Sequence, residues 1–230
     1  MKIVVSIGGS VLAPDLNEAR VAEHAEALTE LAAAGHEVGA VTGGGSVARD
    51  YIGTARALDA NEMELDHIGI AATRLNARLL IAALGDRAAP EPIESYEAGR
   101  EALRRGDLPV LGGMVAGQTT DAVGAAFAEY VNADLLVYAT SVPGVFSADP
   151  DVDPDAAKFD ELSVGKLVDV IADIEMNAGS NAPVDLLAAK LIQRSGIRAI
   201  VLDGSEPQRI VNAVLDDAHE GTEIVPDHDA

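Results

Sequence analysis

At 230 residues, 48% of them hydrophobic, the chain is long enough to bury a sizeable core as one large domain or two modest lobes. Its formal charge of -22, from 38 acidic against 16 basic residues, excludes non-specific binding to nucleic acid or an anionic membrane, since both need a positive face. The absence of cysteine excludes a disulfide framework, cysteine-ligated zinc and a thiol nucleophile. What remains is a small-molecule ligand. Acidic residues run along the whole chain, which suits a salt-rich cytosol. No stretch reads as the roughly 20 apolar residues of a membrane span. Residues 1–12 lack the basic start and cleavage pattern of a signal peptide, so a cytoplasmic location is expected.

The apolar run Ile3 to Ile7 predicts a buried strand, and Val21, Ala25, Leu28 and Leu31 share one face of a helix from Asn17 to Ala34, closed by Gly35. A second strand, Val38 to Val41, runs into Gly43, Gly44 and Gly45, after which Ser46 caps a helix through Leu58. A long helix follows from Glu62 to Leu84, stopped by Gly85, then a shorter one from Ala98 to Arg105. LPVLGG at 108–113 predicts a third strand; a helix at 121–132, the strand LLVYAT at 135–140 and a long loop come next. Helices near 164–173 and 184–195, the strand AIVL at 199–202 and a helix after Ser205 complete the pattern, and the tail VPDHDA reads as disordered. Strands that alternate with helices and are apolar almost throughout predict an α/β fold: a three-layer α/β/α sandwich with a mainly parallel sheet covered on both faces. The chain reads as a single domain, 1–230, with the acidic loop Ala148 to Asp155 as the one candidate seam between lobes.

In such a sheet ligands bind beyond the carboxyl ends of the strands, and four glycine-containing strand ends point there: IGGS at 7–10, TGGGSVAR at 42–49, LGGMVAGQTTDA at 111–122 and ATSVPGVFSADP at 139–150. Glycine lets backbone amides approach an anion, and a following helix adds its N-terminal partial charge. Any one of these turns is equally a plain strand-to-helix connection; four converging on one edge indicate a phosphorylated ligand. No GxxxxGK[ST] and no GxGxxG after a strand occurs, so neither a P-loop nor a dinucleotide fold is supported.

IGGSV, TGGGSVAR, DHIGIAATRLNA at 66–77, GMVAGQTTDA at 113–122, TSVPGVFSADP at 140–150 and VDLLAAKLI at 184–192 run in order over nearly the whole chain. In this the chain resembles the archaeal uridylate kinases of the amino-acid kinase superfamily. The pair DxIGxxxTxxNA plus GxTTDA is the specific part. The resemblance implies transfer of the γ-phosphoryl of ATP to UMP, with Mg2+ carried on ATP, a phosphoryl-acceptor lobe at about 1–135, an ATP lobe at 136–230, and a hexamer built from dimers. It implies that Gly9, Ser10, Gly45 and Arg49 hold the ATP phosphates and that Thr140, Phe146 and Asp149 wall the adenine and its ribose. Gly44 and Asp66 match acceptor contacts, Asp66 at the ribose. Met114, Val115, Ala116, Gly117, Gln118, Thr119 and Thr120 match the segment around the UMP phosphate and base. Asp121 matches the aspartate that orients the catalytic groups, with Arg49 as its basic partner in catalysis. The alternatives are a non-catalytic nucleotide sensor on the same fold, or an isopentenyl phosphate, carbamate or acetylglutamate kinase.

The residue chemistry agrees with these roles. A carboxylate such as Asp66 accepts from sugar hydroxyls and repels phosphate, whereas the hydroxyls of Thr119 and Thr120 suit an anion. A nucleoside monophosphate has a second pKa of about 6, so its attacking oxygen needs no general base. Asp121 opens a predicted helix and reads equally as its cap. The histidines at 24, 36, 67, 219 and 228 show no metal-ligand spacing. Asp149, Asp151 and Asp153 imitate a calcium loop, but Pro154 stands where that loop needs glycine and Asp160 where it needs glutamate. Many superfamily members carry lysine where Ser6 stands, so the positive charge must come from elsewhere. Lys2 is about 13 Å back along the strand at about 3.3 Å per residue, Lys158 and Lys166 follow the long loop, and Lys190 is mid-helix. Arg49, the glycine-loop amides and magnesium are left to share the task.

Overall fold

The computed structural model describes residues 1–148, 150, 153–175 and 184–227. Among these, seven strands form one sheet: β1 (Lys2–Ile7), β2 (Glu37–Thr42), β3 (Val110–Leu111), β4 (Leu135–Thr140), β5 (Glu161–Ser163), β6 (Arg198–Asp203) and β7 (Thr222–Val225), in the order β3-β2-β1-β4-β6-β7-β5. Every neighbouring pair is parallel except β6 and β7. The helices are α1 (Gly9–Leu12), α2 (Glu18–Ala33), α3 (Gly45–Arg56), α4 (Glu62–Leu84), α5 (Tyr96–Arg105), α6 (Thr120–Val131), α7 (Val164–Glu175), α8 (Leu186–Ser195) and α9 (Gln208–Leu215).

The period-two geometry of a strand divides the apolar side chains between two cores. Ile3, Val5 and Ile7 of β1, with Leu135 and Val137 of β4, pack against Leu28 and Leu31 of α2, Leu80 of α4 and Ile210 of α9. Val4, Leu136, Tyr138 and Val201 face the other way, onto Phe127 of α6, Leu167 of α7 and Ile192 of α8. With both faces covered, the strands can be apolar at successive positions, which is how the sequence announces them. The predicted three-layer sandwich is therefore the observed one.

The differences are local. The predicted strand 108–113 shrinks to Val110–Leu111, because Gly112 and Gly113 turn away at the sheet edge. β5 and β7 are short and half polar, and periodicity misses them; Val225, expected in the disordered tail, ends β7, while residues 228–230 of that tail lie outside the described residues. Gly44, not Ser46, is the N-cap of α3. Thr119 caps α6 by accepting from Ala122 N at 3.0 Å, so the capping reading of Asp121 is corrected: it lies inside the first turn. Of the candidate seam, residues 149, 151 and 152 lie outside the described residues.

Helix α4 carries the acceptor motif and is the longest element. Its start is fixed by a capping box, in which Glu64 N donates to Asn61 Oδ1 at 3.1 Å and Asn61 N donates to Glu64 Oε2 at 2.8 Å. By length and composition the run Glu62–Arg87 contains an 18-residue stretch, of mean hydropathy 1.3, apolar enough to cross a membrane, against the expectation from the sequence. Here it packs against α2 and α3. Replacing the cap by Asn61→Ala should lower the unfolding free energy by about 1 kcal/mol, read as a shifted midpoint with unchanged slope in chemical denaturation.

Candidate active site

Because β1, β2, β3 and β4 are parallel, their carboxyl ends open onto one edge, and the glycine turns meet there. Gly8 N donates to Ala139 O and Gly43 N to Ile7 O, both at 2.9 Å, so the first two turns are stitched to neighbouring strands. They then interlock. A Cβ on Gly9 would lie 2.6 Å from Gly43 O, and one on Gly45, whose φ is +64°, would lie 2.7 Å from Gly9 C. Only hydrogen fits between the two backbones at these positions, which is the physical content of IGGS and GGGS. Arg49, one turn into α3, reaches back to Ser10 Oγ with both terminal nitrogens at 3.4 Å. No side chain caps α3, so its first-turn amides are available to an anion.

The helical spacing of Asp66, Gly69, Thr73 and Asn76 sets them on one face of α4, turned to the glycine loops. Asn76 Nδ2 donates to Gly43 O at 2.7 Å and to Gly44 O at 3.3 Å. The Thr73 hydroxyl accepts from Gly113 N at 2.6 Å, and the Thr73 carbonyl accepts from Thr42 Oγ1 at 3.0 Å. Asp66 Oδ2 accepts from Gly117 N at 2.7 Å, where Gly117 has φ +85°. One helix thus braces three loops. Thr73 and Asn76 were not among the expected site residues, although the motif spells them at helical spacing.

A cavity of about 300 Å³ lies between these elements, lined by Gly44, Gly45, Arg49, Asp66, Gln118, Thr119 and Thr120, with Ile52, Ile70 and Thr73 as its less polar wall. The expected phosphate and acceptor residues are therefore brought together. Met114, Val115, Ala116 and Gly117 are not part of that lining: Met114 packs against the core, Val115 is exposed, and Gly117 contributes its amide to Asp66. Thr140 is held by its own turn, accepting from Val142 N at 3.1 Å. Phe146 bridges to Lys158 across the long loop, and Asp149 lies outside the described residues. A larger cleft of about 1050 Å³ between β6 and α9 contains none of the expected site residues.

Two carboxylates stand near each other at the starts of α6 and α8. Asp185 caps α8 by accepting from Ala188 N at 3.0 Å and takes a hydrogen bond from the Thr119 hydroxyl, so the caps of α6 and α8 are bonded to each other. Burial pushes the Asp121 carboxyl up to about 7; the Asp185 charge adds to this, and the Ser6 hydroxyl opposes it. Asp185 was missed, though the Asp of VDLLAAKLI stands where a helix cap is spelled. The lysines fall as expected: Lys2 Nζ donates to Val131 O at 2.7 Å, at the opposite edge of the sheet, and Lys158 Nζ donates to Glu220 O at 2.6 Å. Lys190 donates to Gln193 Oε1 at 3.2 Å on its own helix.

A family model described as the amino acid kinase family matches residues 1–203. Over 227 residues the chain is 71% identical to the uridylate kinase of Haloarcula marismortui, covering 99% of this chain and 100% of that one. It is 51% identical over 218 residues to the uridylate kinase of Methanococcoides burtonii, covering 95% and 93% of the two chains. Among solved structures, the uridylate kinase of Archaeoglobus fulgidus superposes with a TM-score of 0.88 at 42% identity, covering 98% of this chain and all (100%) of that one. With the interlocked glycine turns, the braced acceptor helix and the cavity between them, these similarities make the chain a member of the amino acid kinase family and, within it, of the uridylate kinases.

Proposed function

We propose that the chain transfers the γ-phosphoryl group of MgATP to the phosphate of UMP, giving UDP and ADP. The observation that carries this reading is the lining of the cavity: Gly44, Gly45 and Arg49 suit phosphates, whereas Asp66 suits a sugar and would repel a phosphate. Gly9, Ser10, Gly45 and Arg49 take the ATP phosphates. Gly44, Asp66 and the segment Met114 to Thr120 take UMP, with Thr119 and Thr120 toward its phosphate, while Thr140, Phe146 and Asp149 lie on the adenosine side. The acceptor oxygen is already deprotonated near neutrality, so the protein's work is to align the two phosphates and neutralise charge. The carboxylates of Asp121 and Asp185 are hard oxygen donors of the kind Mg2+ takes, one or two carboxylates beside phosphates and water being its usual set. When bound, the ion offsets charge on the transferring group.

Arg49 is the side-chain cation at the phosphate end. Arg49→Ala should lower kcat/KM by about a hundredfold, while Lys2→Ala, remote from the cavity, should leave it within about threefold; equal losses in steady-state assays with MgATP and UMP would mean the charge is misplaced.

Asp121 acts as an ionised organiser. The kcat/KM value, which reports the free enzyme, should then rise between pH 6 and 8 with a midpoint near the Asp121 pKa of about 7, and Asp121→Asn should remove this limb and cut kcat about a hundredfold. Stability moves the other way. A carboxyl whose folded pKa is raised lends its full stability below its unfolded value, about 3.9, and loses it as pH rises through the folded one. Asp121→Asn should therefore melt higher than the parent at pH 8, with the difference gone by about pH 4.

The protein works in a cytoplasm of high salt, as a hexamer of three dimers. Tyr51 within α3, Leu58 just past its end, and Met63, Leu75 and Leu79 on α4 are between 42% and 77% exposed, an apolar surface that a second copy would cover. Light scattering and melting from dilute buffer to molar KCl should show six copies of the 23.7 kDa chain and a melting point that rises with salt. A monomer throughout, or greatest stability in dilute buffer, would overturn this part.

A further inference from the structure

The floor of the site beneath Asp121 is made by two hydroxyl side chains on neighbouring strands. Ser6 of β1 and Tyr138 of β4 are direct register partners, and they are 4% and 0% exposed. Both point to the face that α6 covers. The Tyr138 hydroxyl donates to the backbone carbonyl of Asp121 at 3.0 Å, tying the first turn of α6 to the sheet. Ser6 stands against the next turn: a Cβ on Gly124 would lie 3.3 Å from Ser6 Cβ, so the helix rests directly on the serine. A phenylalanine at 138 would fill the same apolar slot with nothing to satisfy. Among the described residues the hydroxyl's hydrogen bond goes to the residue whose orientation the chemistry needs.

We infer that Tyr138 is a positioning residue that fixes Asp121 at the start of α6, through the backbone carbonyl of the aspartate. This rests on the reading of Asp121 as the organiser. Among the elements packed on α6, the charged group facing Asp121 is Asp185 of α8. Arg100 of α5, Arg194 of α8 and Lys2 of β1 engage the far half of the helix at Tyr130, Glu129 and Val131.

The test is a kinetic cycle on the full chain with MgATP and UMP. Tyr138→Phe should lower kcat about tenfold, the worth of one well-placed hydrogen bond, with both KM values within about twofold and the circular dichroism spectrum unchanged. In an Asp121→Asn background, Tyr138→Phe should cost nothing further, since coupled residues are not additive. Full kcat in Tyr138→Phe, or the same tenfold loss on top of Asp121→Asn, would overturn the inference. Parental kcat in Asp121→Asn alone would instead overturn the reading of Asp121 on which it stands.

Discussion

The structure depends on one close approach, the backbone-to-backbone contact between the turn after β1 and the turn after β2. Gly9 and Gly45 touch where any side chain would collide, and that contact fixes the distance between the start of α1 and the start of α3. From it follow the placement of Ser10 opposite Arg49 and the opening of the α3 amides into the cavity. The sheet makes the approach possible because parallel neighbours end on the same edge, Ile7 beside Thr42. Asn76, reaching from α4 to Gly43 and Gly44, prevents the turns from separating.

A chain of formal charge -22 gains little by long-range attraction of an anion, so short-range means carry more weight where Arg49 and the glycine turns line the cavity. Negative charge is kept at two other points. Asp66 is satisfied by the Gly117 amide. At the start of α6, burial first and then the Asp185 charge lift the Asp121 carboxyl to about 7. A carboxyl raised in this way spends stability near neutral pH.

The acceptor helix shows how packing and chemistry share one element. Its inner face carries Leu65, Ala72, Ala77 and Leu80 into the core, and the adjoining positions carry Asp66, Thr73 and Asn76 to three different loops. A capping box at its start sets the register of that face, so an exposed cap bears on the site several turns away.

Much of this was legible in the residues. Apolar runs such as Ile3 to Ile7 identify themselves because a strand buried on both faces admits no polar alternation, and Asn17, Gly35 and Gly85 mark helix ends by chemistry that acts within one turn. The glycine turns are equally local, and of the residues that the family resemblance singled out, Gly45, Arg49 and Asp66 line one cavity, with Gly9 against Gly45. β5 and β7 were not legible, since three or four residues of mixed polarity pair only because the sheet presents an edge to them. Nor was Asp185, which reaches Thr119 across 66 positions of chain, nor the partnership of Tyr138 with Asp121. The sequence by itself determined the order of elements, the glycine turns at the strand ends and the sign of the surface, because each is set by composition or by contacts a few residues apart. Only the tertiary structure decided which turns interlock, which aspartate caps and which is poised, and what stands on the strand floor. Those depend on strand order and on helix-to-sheet distance, neither of which any local stretch encodes.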